Sequence, residues 1–206
     1  MSLTASRPAP EIRGSQEAIK ELYQVPENGK AEIVQGRVVQ MSPTGARPGL
    51  VAFKIASSLS QYEERRSQTE DNVGYTFSDN VGFLVDLPGR SSFSPDAAWY
   101  TGQVGEDEMD YLPSAPAFAV EVRSKGDYGP KAEQAISEKI QDYFAAGTMV
   151  VWDVDTRGAD VVRVHRAASP DAPTIYRRGD VAEAEPAVPG WTMPVDDLFG
   201  RPLRAR

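Results

Sequence analysis

The chain has 206 residues, 25% of them charged and 40% apolar, with a net charge of −8 at pH 7. This is an ordinary soluble composition, long enough for one domain with a full core. There is no cysteine and a single histidine, His165, which excludes disulfides, thiolate sites and polyhistidine centres, so a metal would have to be held by oxygen. The acidic balance argues against a generic nucleic-acid binder, whose usual footprint is basic.

Residues 1–14 read as a loose arm rich in Pro, Ser and Arg. Ser15 is placed to cap a short helix through Tyr23. Pro26-Glu27-Asn28-Gly29 is turn chemistry, and Glu32 to Met41 reads as a hairpin turning at Gly36. After a loop from Ser42 to Pro48, the spacing predicts a helix over Gly49 to Arg66, with Val51, Ile55, Leu59 and Tyr62 on one face. Short strands follow at Asn72 to Phe77, Val81 to Leu87 and Asp96 to Tyr100, then an acidic loop from Gly102 to Asp110. Ala117 to Val122 is a near-continuous apolar run, the pattern of a strand buried on both faces. A helix is predicted from about Lys131 to Ala146, stopped by Gly147. Met149 to Asp155 and Asp160 to Arg166 are further strands; a last strand near Thr174 to Tyr176 leads into Pro-rich coil. The expected class is α/β with α+β character: one mixed sheet flanked by helices, with an N-terminal hairpin. It forms a single domain over 15–200, followed by a tail at 201–206. No apolar run approaches the ~18 residues of a membrane span and no signal peptide is visible, so no membrane partner is expected.

Asp96, Glu121 and Lys139 stand out, spread over two strands and a helix. Glu121 interrupts the buried run Phe118-Ala119-Val120-Glu121-Val122, where an ionised carboxylate costs several kcal/mol unless paired or metal-bound. Lys139 lies about 85° from the centre of its helix's apolar stripe, close enough for its stem to lie along the sheet. Lys125 and Lys131 compete with it. Asp96 alone reads as turn punctuation, Glu32 as an exposed hairpin residue, and His165 has no role. Two carboxylates and a lysine so disposed most simply hold a divalent metal beside a phosphate. A glycosidase could use the two carboxylates, although only Trp99 and Tyr100 are nearby aromatics in sequence. No phosphate loop and no nucleophile elbow is present.

Pro95-Asp96 followed by Glu121 in a buried strand resembles the PD-(D/E)XK nuclease superfamily. From about Glu27 to Phe199 the chain is similar to the Uma-type family of restriction-endonuclease-like proteins. The motifs are Glu32-Ile33-Val34-Gln35-Gly36, Met41-Ser42-Pro43, Ser94-Pro95-Asp96, Val120-Glu121-Val122-Arg123-Ser124, Lys139 to Tyr143 with Ala146-Gly147, Val151 to Asp155, Pro189-Gly190-Trp191 and Asp197-Leu198-Phe199. Two departures stand out. Arg123 occupies the position of the superfamily's strand lysine, which this family shifts to the helix as Lys139. Arg47-Pro48 stands where the loop often carries a histidine, whose part is therefore expected to be missing or altered.

The resemblance implies a restriction-endonuclease-like core and hydrolysis of DNA phosphodiesters. Asp96, Glu121 and the Val122 carbonyl would bind Mg²⁺ or Mn²⁺. Lys139 would orient water or neutralise charge on phosphorus, and Glu32 would complete the metal shell or polarise water. Cutting both strands of a duplex implies a two-fold homodimer, and the setting is expected to be the cytoplasm. DNA would need a local basic patch, for which Arg37, Arg47, Lys54 and Arg123 are candidates. The competing expectations are a non-catalytic nuclease-fold domain binding nucleic acid or protein, and a nuclease for small or single-stranded substrates. Metal-dependent cleavage separates the first from catalysis.

Overall fold

The structure, a computed structural model, describes residues 16–25, 29–105 and 109–199. The arm at 1–14, the cap Ser15, most of the turn at 26–28, part of the acidic loop and the tail at 201–206 lie outside the described residues. Among those described, the elements run α1 (Gln16–Leu22), β1 (Ala31–Val34), β2 (Arg37–Gln40), α2 (Ala46–Ser67), β3 (Tyr75–Ser78), β4 (Phe83–Leu87), β5 (Arg90–Phe93) and β6 (Ala97–Tyr100). They continue with β7 (Phe118–Val122), α3 (Pro130–Ala145), β8 (Val150–Val154), β9 (Val162–Arg166), β10 (Ser169–Tyr176), β11 (Val181–Glu183), β12 (Thr192–Pro194) and a 3₁₀ turn (Val195–Leu198). No described helix is long and apolar enough to cross a membrane.

The main sheet has the order β10-β9-β8-β7-β6-β3. Its β7 and β8 are parallel, joined through α3, and the other neighbours are antiparallel. Period-two alternation assigns its faces. Phe118, Val120, Val122, Val150, Trp152 and Val154 pack with Val51, Ile55, Leu59 and Tyr62 of α2, the stripe read from sequence. On the opposite face Ala98, Tyr100, Ala119 and Val151 meet Ile140 and Tyr143 of α3. A second sheet, β2-β1-β5-β4, contributes Phe83 and Phe93 to that layer. The mixed sheet between helices and the N-terminal hairpin therefore agree with the sequence reading. In the hairpin, Gln35 and Gly36 both have positive φ, the two-residue turn whose twist suits antiparallel strands.

The ends of α3 follow from its sequence. Pro130 sits at the first helical position, where its missing N–H costs nothing. Gly147 at φ +101 closes the helix, with Gly147 N–H donating to Phe144 O and Thr148 N–H to Tyr143 O, each at 3.0 Å.

Four local expectations are corrected. Helix α2 begins at Ala46, so Pro48 lies in its first turn, where a proline costs no internal hydrogen bond. β3 starts at Tyr75 and β4 at Phe83, each later than expected. Arg90–Phe93 is a fully buried strand that the sequence reading missed, tied to β1 by Ile33 N–H donating to Ser92 Oγ at 2.7 Å. The C-terminal region is not coil: β11 and β12 pair, and Trp191 buries against Phe118 and Trp152 while donating to Ser58 Oγ at 3.1 Å.

Candidate active site

The β6–β7 register pairs Ala98 with Ala119 and Ala97 with Val120. One further step brings Asp96 opposite Glu121, on the α3 face of the sheet. Asp96 N–H donates to Val120 O at 2.9 Å, and the ladder ends there. The next amide, Val122 N–H, is taken up by Asp96 Oδ2 at 2.7 Å. One oxygen of Asp96 thus closes the sheet, and Oδ1 accepts from Lys30 Nζ at 2.7 Å.

Glu121 Oε1 accepts from Tyr143 Oη at 2.6 Å and lies 2.9 Å from Lys139 Nζ. Both partners come from α3, one turn apart, which puts them on one face. The Tyr143 ring is held by stacking on Phe93, with centroids 3.9 Å apart. Lys139 Nζ is also 2.9 Å from Glu32 Oε1 and so bridges two carboxylates. Glu32 is 1% exposed rather than the exposed hairpin residue its sequence suggested. Its Oε1 also accepts from Ser94 N–H at 3.0 Å, and its Oε2 pairs with Arg90 at 2.6 Å. Arg90 in turn reaches Asp142 on α3 at 2.8 Å. Asp96, Glu121 and Lys139 face one cavity of about 1070 Å³, while Glu32 stands behind Lys139, outside the cavity wall.

Burial pushes the Glu121 carboxyl up, and the nearby Asp96 and Glu32 charges add to this against the pull of Lys139. Burial would lower Lys139, but Glu121 and Glu32 outweigh it and hold the ammonium protonated. Burial would likewise raise Glu32, yet Lys139 and Arg90 hold it below the usual carboxylate range. A depressed folded pKa gives stability that is present above the unfolded value and lost as pH falls through the folded one. Glu32→Gln is therefore expected to destabilise the fold at pH 7, with the difference from wild type shrinking below about pH 4. Urea melts of both proteins across pH 3–7 check this; a constant difference would contradict it.

The remaining candidates divide. Val122 lines the cavity, as does Lys125, whereas Lys131 is exposed on the first turn of α3 and away from it. Arg123, the departure from the strand lysine, is buried and clamped by Asp153 at 2.7 and 2.6 Å and by Glu133. It lines the cavity as well, but Asp153 and Glu133 match its charge, so it adds no unpaired cation to the basic patch expected from sequence. Lys54 caps Asp197 O at 2.6 Å at the far end of the chain. His165 lies on β9 beside a separate, smaller cavity.

Sequence reasoning missed Lys30 and Arg90. Lys30 had a legible signal: it lies two residues before Glu32 and shares its strand face by alternation. Arg90 had none, because its strand went unrecognised.

Among the described residues, no group of three or more acidic or histidine side chains is gathered as a metal cage. Four carboxylates line the cavity; Asp153 is taken by Arg123 and Asp127 accepts from Ser124 N–H at 2.7 Å, and Asp96 and Glu121 are the pair that face each other across the β6–β7 register. Two facing carboxylates, one with its pKa raised partly by the other, suit a hard divalent cation that takes one or two carboxylates and fills its other positions with water and phosphate.

Residues 17–196 match the family model described as Uma2, "putative restriction endonuclease". A crystal structure titled as a putative nuclease belonging to DUF820, from Anabaena variabilis ATCC 29413, superposes with a TM-score of 0.67 at 16% sequence identity. The match covers 88% of this chain and 97% of that one. No curated protein matches the chain. The fold is thus shared with that structure, and the match over 17–196 places this chain in the Uma2 putative restriction endonuclease family.

Proposed function

We propose that the chain is a metal-dependent endonuclease that hydrolyses phosphodiester bonds in DNA. The observation that carries this reading is Lys139: a protonated ammonium, 16% exposed at its side chain, 2.9 Å from both Glu121 and Glu32 on the wall of the cavity that Asp96 shares. Family membership supports the reaction class. Asp96 and Glu121 would hold Mg²⁺ or Mn²⁺, with the Val122 carbonyl as a third oxygen. The bound ion would acidify water and polarise a phosphoryl oxygen. Lys139 neutralises charge growing on the phosphate or orients the attacking water. Tyr143 fixes the Glu121 carboxylate, and Glu32 is a positioning residue: it anchors Lys139 and is itself anchored by Arg90. Arg47, Lys125 and Arg157 line the same cavity, and Arg157 lies over the Tyr128 ring at 4.8 Å. These cations give phosphates a place to dock despite the net charge of −8.

The test is cleavage of supercoiled and single-stranded DNA in Mg²⁺ and in Mn²⁺. Lys139→Ala is expected to slow cleavage about 10²-fold with no loss of metal affinity, since its charge acts mainly on the transition state. Equal rates for variant and wild type would remove Lys139 from the mechanism. Cutting both strands of a duplex calls for two sites, and a two-fold homodimer is the expected assembly. Light scattering at tens of micromolar should give twice the chain mass; a monomer would contradict it. The second reading, a non-catalytic binding domain, is favoured by the acidic charge and by the pairing of Arg90 and Arg123 with carboxylates. Absence of metal-dependent cleavage on all these substrates would select it.

A further inference from the structure

Lys30 has no place in the mechanism above, yet it occupies the position that matters most to it. Its ammonium is 2.7 Å from Asp96 Oδ1, the oxygen left to the cavity once Oδ2 has closed the sheet on Val122 N–H. It lies equally close, at 2.7 Å, to Asp79 Oδ1 in the turn between β3 and β4. The Lys30 side chain is 14% exposed and faces the cavity, whereas Asp79 is 39% exposed and lies outside its wall. A monovalent cation thus bridges one carboxylate inside the site and one outside it.

We infer that Lys30 is a displaceable counter-cation: it neutralises Asp96 in the metal-free protein and transfers to Asp79 when a divalent ion binds. This rests on the reading of Asp96 and Glu121 as the metal-binding pair. The geometry supplies each requirement. Asp96 Oδ1 cannot serve an incoming dication fully while an ammonium sits on it, because the two positive charges repel at short range and both side chains are largely buried. Asp79 already shares the ammonium, so withdrawal from Asp96 keeps one ion pair rather than leaving a buried charge unpaired. Glu121 adds to the field on Lys30 but makes no ion pair with it, and its Oε1 is already engaged by Lys139 and Tyr143. Lys30 and Asp79 together then set the metal affinity of a site to which neither contributes a ligand.

The inference gives Lys30 and Asp79 opposite effects, which a merely structural role would not do. Mn²⁺ is titrated by calorimetry into wild type, Lys30→Met, Lys30→Gln and Asp79→Asn at low ionic strength, with thermal melts to establish folding. Lys30→Met and Lys30→Gln are expected to bind about tenfold tighter, through loss of the competing charge. Asp79→Asn is expected to bind several-fold more weakly, because Lys30 loses its alternative partner. If wild type binds Mn²⁺ and the folded Lys30 variants bind no tighter, the exchange is wrong while the metal-binding pair stands. If neither wild type nor the Lys30 variants bind Mn²⁺, the metal-binding reading itself fails and the exchange falls with it.

Discussion

Glu121→Gln is expected to abolish Mn²⁺ binding and DNA cleavage together, with cleavage falling by about 10³-fold or more, to background. The substitution keeps side-chain volume and keeps a carbonyl oxygen to accept from Tyr143 and Lys139, the partners of the native carboxylate. It removes only the charge that would hold a divalent ion. It also removes the cost of burying that charge and the repulsion from Asp96 and Glu32, which together outweigh Lys139 and raise the native carboxyl, so the folded state should not lose stability through that site. A melting temperature equal to or above wild type, with cleavage gone, would separate chemistry from folding. Equal residual cleavage by variant and wild type would mark the activity as a contaminant and turn the assignment to the non-catalytic reading.

Arg90→Met carries the largest expected cost in stability. Arg90 spans β5, β1 and α3 by pairing with Glu32 at 2.6 Å and Asp142 at 2.8 Å. The Glu32 side chain is 2% exposed, so water cannot replace the guanidinium. Breaking a buried pair by removing one partner typically costs about 3–5 kcal/mol, because the other charge is left uncompensated. Lys139, the remaining cation on Glu32, would be drawn toward it and away from Glu121, so cleavage should fall as well. Denaturant unfolding with an unchanged slope gives the stability term. The double variant Arg90→Met with Glu32→Leu should recover much of it, since no orphan charge remains. A single-variant loss below about 1 kcal/mol would show that Glu32 is satisfied without Arg90.

What was legible in the sequence was what local pattern dictates. The stripe Val51, Ile55, Leu59 and Tyr62 specified the buried face of α2, and the apolar run through Val122 specified the central strand. Glu121 could be singled out because a carboxylate in that run needs a partner, and the structure supplies Lys139 and Tyr143. Lys139 was reachable from its angle to the α3 stripe. Glu32 was read as exposed because nothing near it in sequence requires burial; its partners Arg90, Ser94 and Lys139 come from 58 to 107 residues away. β5 was hidden for the same reason, since Arg90, Ser91 and Ser92 are polar and become buried only through non-local pairing. In the C-terminal region, prolines and single apolar residues gave no period, although Val188, Trp191, Met193 and Leu198 complete the layer over the main sheet. Arg123 was legible as a departure from the superfamily motif, but its clamp by Asp153 and Glu133 requires the β7–β8 register that sets Glu121 beside Asp153.

All of the proposed chemistry depends on Asp96 and Glu121 acting as a divalent-cation site. Titration of Mn²⁺ into wild type and Asp96→Ala by calorimetry tests it most directly, without reference to any substrate. The expected result is saturable binding of an ion to wild type and none to Asp96→Ala, with both proteins folded by circular dichroism. Identical isotherms for the two proteins, or no heat from wild type at millimolar Mn²⁺, would contradict it.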